Sequence, residues 1–298
     1  PGNIQHTKTM VKVLIITIGP RGDIAPCIAM VKAMRGQGTV ENIAVAGHAT
    51  SQRTVENAGA VFFDIGPEEA EAMVKTAEGR RLREPTMNPI KRAQQRKDFI
   101  RPLVKKYMQG AQAATEKFRP DFAVLSSEAV YMCSSILERQ GVPHCRFHLT
   151  PMVPTEEHAP PVGFGTGETW FRWVSRIKWR QAIRAKYHDF YKDAVDEHRA
   201  QLGMGPTAGS PYEDVDEEGA PPVAVLGYSP TLCPPPHDWD PQRVFVVGAL
   251  IDGDAEKTYA PPPELSAPLG LASRETTKPM ISAFKSAEST AVVAKPCQ

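Results

Sequence analysis

The sequence lacks the features that would place it in several large classes of protein. It has no long apolar run: residues 11–18 are apolar but fall well short of the ~20 residues of a membrane helix, and no signal-peptide cleavage pattern follows them. It has no excess of charge, because 35 basic residues nearly cancel 34 acidic ones, and a net charge of +1 gives no field that would gather nucleic acid. Its five cysteines, Cys27, Cys133, Cys145, Cys233 and Cys297, are odd in number and scattered. They form no Cys-x-x-Cys pair and stand in no metal-type spacing with histidine, so neither a disulfide framework, a metal site nor a resident cofactor is expected. Reduced thiols and the absence of an Asn-x-Ser/Thr acceptor both suit a cytoplasmic protein. The sequence starts at Pro1 rather than at Met, so some native N-terminal sequence is expected to precede it.

What is present is a globular composition, 41% hydrophobic over 298 residues, with strands and helices in alternation. Residues 11–18 are β-branched and apolar on both faces, as a central strand of a parallel sheet must be. A glycine-containing loop, residues 19–23, leads into a helix over 24–35, with Asp23 placed as N-cap and Gly36 and Gly38 at the exit. Further strands are expected over 42–46, 61–65, 122–125, 142–147, 223–226 and 244–247. Helices are expected over 50–58, 67–77, 89–118, 129–139 and 170–202. This order predicts a doubly wound, mostly parallel α/β sheet of Rossmann type, with ligand-binding loops at the carboxyl edge of the strands. Residues 1–9 read as an N-terminal extension, 10–250 as one domain, and 251–298 as a Pro-rich linker followed by a disordered tail.

Three motifs carry a resemblance. The first is Gly19-Pro-Arg-Gly-Asp-Ile-Ala-Pro26, directly after the first strand. The second is Asp121-Phe-Ala-Val-Leu-Ser-Ser127, followed by Gly141-Val-Pro143 and by Pro151 to Thr155. The third is Tyr228-Ser-Pro through Trp239, with Val246-Val-Gly248. In this order they resemble the sterol glucosyltransferases and the related bacterial antibiotic glycosyltransferases, specifically the acceptor-binding N-terminal domain of glycosyltransferase family 28. The resemblance covers roughly the first 250 residues and implies one half of a GT-B fold, in which two Rossmann-like domains face each other across a cleft. Pro20 stands where the family usually has Ser or Thr.

The resemblance implies that a hexose, glucose from UDP-glucose, passes with inversion to a sterol or other lipid hydroxyl. Such a transfer needs a base for the acceptor's proton, and the resemblance implies Asp23, which matches the Asp of this motif proposed as the base in the resembling bacterial enzymes. Capping the following helix is an equally good role for Asp23, and the two are compatible. Arg21, Gly22, His48, Glu128, His148, Met152 and Phe164 are the candidate acceptor-binding residues. For each a structural or solvated role is the simpler alternative: Arg21, which could pair with Asp23 and lower its pKa or approach a phosphate, as a solvated loop arginine, and Gly22 as a residue serving backbone geometry, by a positive φ or a close approach. No strand with a glycine-rich loop and no His- and Gly-rich donor motif follows residue 264. The donor half is therefore expected to be missing, leaving this chain inactive unless a partner supplies that half; a UDP-sugar co-substrate belongs only to the complete two-domain enzyme.

Other readings compete. A dinucleotide-binding domain opens similarly, but its Gly-x-Gly-x-x-Gly loop is absent and Gly47-His48 stands where a ribose-binding acid belongs. Between Lys75 and Lys106 stand eleven basic residues against three acidic ones, which suits either an anionic membrane surface or a solvated helix face. Trp170, Trp173, Val174, Ile177 and Ile183 form a stripe that reads as core packing. Finally, the chain could stand alone as a non-catalytic module that binds a sterol or lipid.

Overall fold

The chain divides into two compact units, Pro1–Asp252 and Gly253–Gln298. The computed structural model describes residues 11–35, 40–82, 89–158, 160, 172–213 and 222–251, all in the first unit. The expected N-terminal extension, linker and tail, together with Gly36, Gly38, Phe164 and Trp170, lie outside the described residues.

Among the described residues, seven strands form one sheet in the order β3-β2-β1-β4-β5-β6-β7. They are β1 (Val11–Ile16), β2 (Val40–Gly47), β3 (Val61–Asp64), β4 (Phe122–Ser126), β5 (His144–His148), β6 (Ala224–Leu226) and β7 (Val244–Val246). Every pairing is parallel, so both faces need cover. Successive side chains of β1 serve the two faces in turn. Leu14 and Ile16 join a core with the long helices, while Val13 and Ile15 join a second core behind the sheet. This is why residues 11–16 carry no polar alternation.

The rear core is covered by α1 (Arg21–Arg35) and α2 (Gln52–Asn57), which supply Ile24, Cys27, Ile28, Val31 and Val55. The front is covered by α5 (Pro89–Phe118), α6 (Ser127–Gln140), α7 (Arg172–Phe190) and α8 (Lys192–Gln201), with the short α3 (Glu69–Lys75) and α4 (Ala77–Leu82) beside them. α5 crosses the end of β3 so closely that a β-carbon on Gly110 would stand 2.5 Å from the Ile65 Cα. Only glycine permits that approach.

Several expected boundaries move, for local reasons. α1 begins at Arg21, so Asp23 is not an N-cap but lies inside the first turn, its N–H donating to the Pro20 carbonyl at 2.9 Å. The helix expected over 67–77 ends at Lys75, because Thr76 is extended (φ −94°, ψ 155°) and its hydroxyl turns back to the Ala72 carbonyl. The helix expected over 170–202 is two helices, broken at Tyr191 (φ −121°, ψ −38°), whose hydroxyl is held by Glu128.

The stripe on α7 is also corrected. Trp179, Ile183 and Tyr187, at four-residue spacing, are its buried face, whereas Trp173 and Ile177 are 60% and 43% exposed. Trp179 is anchored by its indole N–H to the His158 carbonyl at 2.9 Å, and truncating a ring so buried costs about 3–5 kcal/mol. No described helix is long and apolar enough to cross a membrane.

Candidate functional site

The sheet order reverses between β1 and β4, so the loops after these strands diverge and leave a crevice at the carboxyl edge. Ser126 closes its base: its hydroxyl accepts from the Ile18 N–H at 3.2 Å and ties the two loops together. Above lies a cavity of about 820 Å³, within the ~300–1,000 Å³ usual for small-molecule sites. The loop after β1 contributes Gly19, Pro20 and Asp23, the loop after β2 His48, and the loop and helix after β3 Glu68, Glu69 and Met73. Ser127, Glu128, Tyr131 and Met132 follow β4, and Met152 follows β5. The roof is Arg96, Ile100, Val104 and Tyr107 of α5 with Trp179, Ala182, Ile183 and Lys186 of α7. An apolar chamber with carboxylates at its sheet edge results.

Asp23 is half-buried, and burial first, then the negative charges of Glu128 and Glu68, push its carboxyl up to about 6. Arg21, expected as a partner that would lower it, is exposed and makes no ion pair among the described residues. The shift therefore runs opposite to that expectation. A carboxyl poised near neutrality suits a general base.

His48 lines the cavity, but both ring nitrogens are engaged. The Gly19 N–H donates to Nε2 at 3.2 Å, so the ring proton sits on Nδ1 and donates to the Gly66 carbonyl at 2.9 Å. The histidine is a clamp between the loops after β1 and β3, buried against the Tyr107 ring at 5.2 Å. Tyr107 in turn donates to the Pro67 carbonyl at 2.8 Å.

Glu128 receives Lys186 Nζ at 2.5 Å on one oxygen and the Tyr191 hydroxyl at 2.6 Å on the other. This joins the start of α6 to the roof, and Lys186 also stands 5.2 Å over the Tyr131 ring. Burial and Glu128 drive the Tyr191 hydroxyl well above its ordinary value, so it remains a donor.

Of the candidate residues, Asp23, His48, Glu128 and Met152 come together on the cavity wall. Arg21 and Gly22 face solvent on the first turn of α1, and His148 is fully buried behind the wall. Among the described residues no atom lies within 4 Å of a would-be β-carbon on Gly22, and its φ is not positive, so neither of the expected backbone roles is found there. Glu68, Tyr107, Ser127, Tyr131 and Lys186 are wall residues that sequence reading passed over. Ser127 alone carried a signal, as the end of the second motif. Five basic residues of the segment from Lys75 to Lys106 are drawn onto acidic partners within the fold: Lys75 to Glu71, Arg96 to Glu69, Lys97 to Asp189, Arg101 to Asp193 and Glu197, and Lys105 to Glu197.

A parallel sheet with a ligand crevice at its switch point defines a Rossmann-like half-domain, and the comparisons with known proteins give the particular kind. The chain is similar to sterol 3-beta-glucosyltransferase UGT80A2 of Arabidopsis thaliana, 28% identical over 276 residues, covering 88% of this chain and 40% of the relative. Glycosyltransferase GtfC of Amycolatopsis orientalis is 26% identical over 232 residues, covering 77% of this chain and 51% of the relative. Among solved structures, the calicheamicin glycosyltransferase CalG4 superposes with a TM-score of 0.53 at 15% identity, covering 85% of this chain and 55% of that one. The glycotransferase of kitacinnamycin gives 0.52 at 15% identity, covering 86% and 56%. No family model matches the chain. The chain spans about two fifths of the length of its plant sterol glucosyltransferase relatives. Its fold is that of one Rossmann-like half of a GT-B protein, and its sequence is similar to the sterol glucosyltransferases over most of its length.

Proposed function

We propose that this chain is the acceptor-binding half of an inverting hexosyltransferase, acting on the hydroxyl of a sterol or comparable lipid with UDP-glucose as donor. The observation that carries the reading is Asp23, half-buried and raised to about 6, at the sheet edge of an apolar cavity of about 820 Å³. In the reaction, the acceptor oxygen forms a bond to the anomeric carbon as the carbon–oxygen bond to the diphosphate breaks on the opposite face. The acceptor's proton passes to Asp23. The apolar walls take up the acceptor's ring system and exclude water from the attacking hydroxyl. Gly19 lets the Asp23 carboxylate fold back over the loop, and the His48 clamp holds that loop in place.

The reading assigns the nucleotide-sugar to a second half facing this crevice, in the same polypeptide or in a partner, so this chain by itself does not turn over. It also includes contact with an anionic membrane surface through the basic segment from Lys75 to Lys106, which flotation with anionic and neutral vesicles tests. The principal experiment is a pair of titrations on the chain, one with sterols and one with UDP-glucose. Saturable sterol binding with no donor binding is expected. Tight UDP-glucose binding by this chain would overturn the assignment to the acceptor side. The alternative, a non-catalytic lipid-binding module, is distinguished once the second half is present: transfer that is lost on D23N supports the enzyme, and sterol binding without any transfer supports the module.

A further inference from the structure

Ser127 and His148 form a pair that the reaction just described does not use. Ser127 is the first residue of α6, half-buried on the cavity wall, one strand over from the loop that bears Asp23. His148 ends β5 behind it, fully buried, with Nδ1 2.9 Å from the Ser127 hydroxyl oxygen. The other ring nitrogen, Nε2, is buried and meets no hydrogen-bond partner among the described residues. The Tyr212 ring stacks on the imidazole at 5.6 Å, and the positive charge of Arg146, two residues earlier on β5, acts on it.

The ring's single proton can be located. Burial, aided by Arg146, pushes His148 down to about 3, so the imidazole is neutral and carries one proton. If that proton were on Nε2, a buried N–H would be left without a partner among the described residues, which proteins rarely tolerate. If it is on Nδ1, only a lone pair is orphaned. The proton therefore lies on Nδ1 and is donated to the Ser127 oxygen. That leaves the Ser127 hydrogen to find its own acceptor, and among the described residues none takes it. Ser134, deeper in α6, donates back to the Val130 carbonyl, but Ser127 opens the helix and has no helical carbonyl four residues behind it. The remaining direction is the cavity.

We propose that Ser127 donates its hydroxyl hydrogen to the oxygen of the acceptor's reacting hydroxyl, and that His148 is the positioning residue that turns this hydrogen outward. The proposal rests on the acceptor-half reading and deepens it. β1 and β4 are neighbours, Ile16 pairing with Leu125, so Asp23 and Ser127 flank one crevice. An acceptor hydroxyl between them gives its hydrogen to Asp23 and accepts one from Ser127. Its second lone pair is left for the anomeric carbon. The site thus distinguishes ligands by what stands at one carbon: an alcohol satisfies both residues, a ketone only Ser127, and a hydrocarbon neither.

Cholestanol, cholestan-3-one and cholestane differ only at that carbon and are the probes, titrated against the chain. Wild type is expected to bind them in that order. S127A is expected to bring cholestan-3-one to the affinity of cholestane, a loss of about 3- to 10-fold, with cholestane itself unchanged. S127T, which keeps the hydroxyl, restores the preference for the ketone over the hydrocarbon. D23A, which takes away the side-chain acceptor, removes the advantage of the alcohol over the ketone and leaves the ketone's advantage over cholestane. H148F weakens the ketone's advantage without altering cholestane binding, and H148N, which retains a donor, recovers part of it. Nitrogen-15 shifts of His148 in the free chain are expected to show a protonated Nδ1. An S127A variant that weakens all three steroids equally, or none, overturns the assignment, as does a proton found on Nε2. If the wild-type chain binds none of the three, the acceptor reading itself fails, and that is known before any variant is made.

Discussion

A β-carbon built on Gly19 would stand 2.1 Å from Oδ2 of Asp23, because the carboxylate folds back over a glycine held at φ +147°. The loop and its acid are therefore one unit, and replacing Gly19 must displace the carboxylate as well as strain the backbone. G19A is expected to destabilise the chain by about 2–4 kcal/mol, as both a forbidden φ and a clash are introduced. Gly22, three residues on, meets nothing and lies in the exposed first turn of α1. G22A is expected to be neutral or to stabilise by up to about 1 kcal/mol. Paired thermal melts test both, and equal losses in the two variants would show that the loop is not built around Gly19.

The two shifted groups at the site tilt stability in opposite directions with pH. Asp23 is raised from 3.8 to about 6, so the native state holds its proton more tightly than the unfolded chain does. That contribution is present below about pH 4 and is lost as pH rises through 6. His148 is lowered from 6.5 to about 3, so its contribution is present above 6.5 and is lost as pH falls towards 3. His148 is fully buried while Asp23 is partly screened by solvent, so the histidine governs the net slope. Urea unfolding between pH 4 and 7 should show D23N losing stability on acidification more steeply than wild type, and H148F less steeply. In the assembled enzyme, the rate should rise with pH through an inflection near 6. E128Q should move that inflection down, because Glu128 is one of the charges that raise Asp23.

How much of this was legible in the sequence follows from where each signal is stored. β1 was plain because Leu14, Ile15 and Ile16 are all buried, and a strand buried on both faces is written as a continuous apolar run. α5 was read to its observed limits, Pro89–Phe118. The break at Tyr191 was not legible, since it depends on a hydrogen bond to Glu128, 63 residues away. Asp23 could be found because a βα loop at the carboxyl edge is local. Its raised carboxyl could not be foreseen, because Glu68 and Glu128 reach it from other strands. The cavity roof escaped for the same reason: nothing local to Lys186 or Tyr107 marks either as a wall residue until α5 and α7 close over the sheet.

His48 illustrates a residue whose position was legible and whose role was not. Its two ring nitrogens join the Gly19 N–H to the Gly66 carbonyl, so an apolar ring of similar size would orphan both groups. H48F is expected to cost about 2–4 kcal/mol and to weaken sterol binding by loosening the Asp23 loop. H48Q, which can still accept and donate, should recover part of both. A melting temperature unaltered in H48F would mean that the two loops are held without this clamp.

The last prediction separates the cavity from the chemistry at its edge. Ala182 lies on the inner side of α7, half-buried, and faces the chamber four residues before Lys186 and one before the buried Ile183. A182F keeps the helix, since neither residue breaks it, and leaves Asp23, Ser127 and Glu128 untouched. Its ring would occupy space that an acceptor's ring system needs. If the cavity of about 820 Å³ is the acceptor site, A182F should weaken cholestanol, cholestan-3-one and cholestane alike, by about 10-fold or more, with a melting temperature equal to or above that of wild type. This uniform loss is the opposite of the selective loss expected from S127A, so the two variants together distinguish filling the pocket from unmaking a hydrogen bond within it. Unchanged affinity for all three steroids in a folded A182F would place the acceptor elsewhere on the domain.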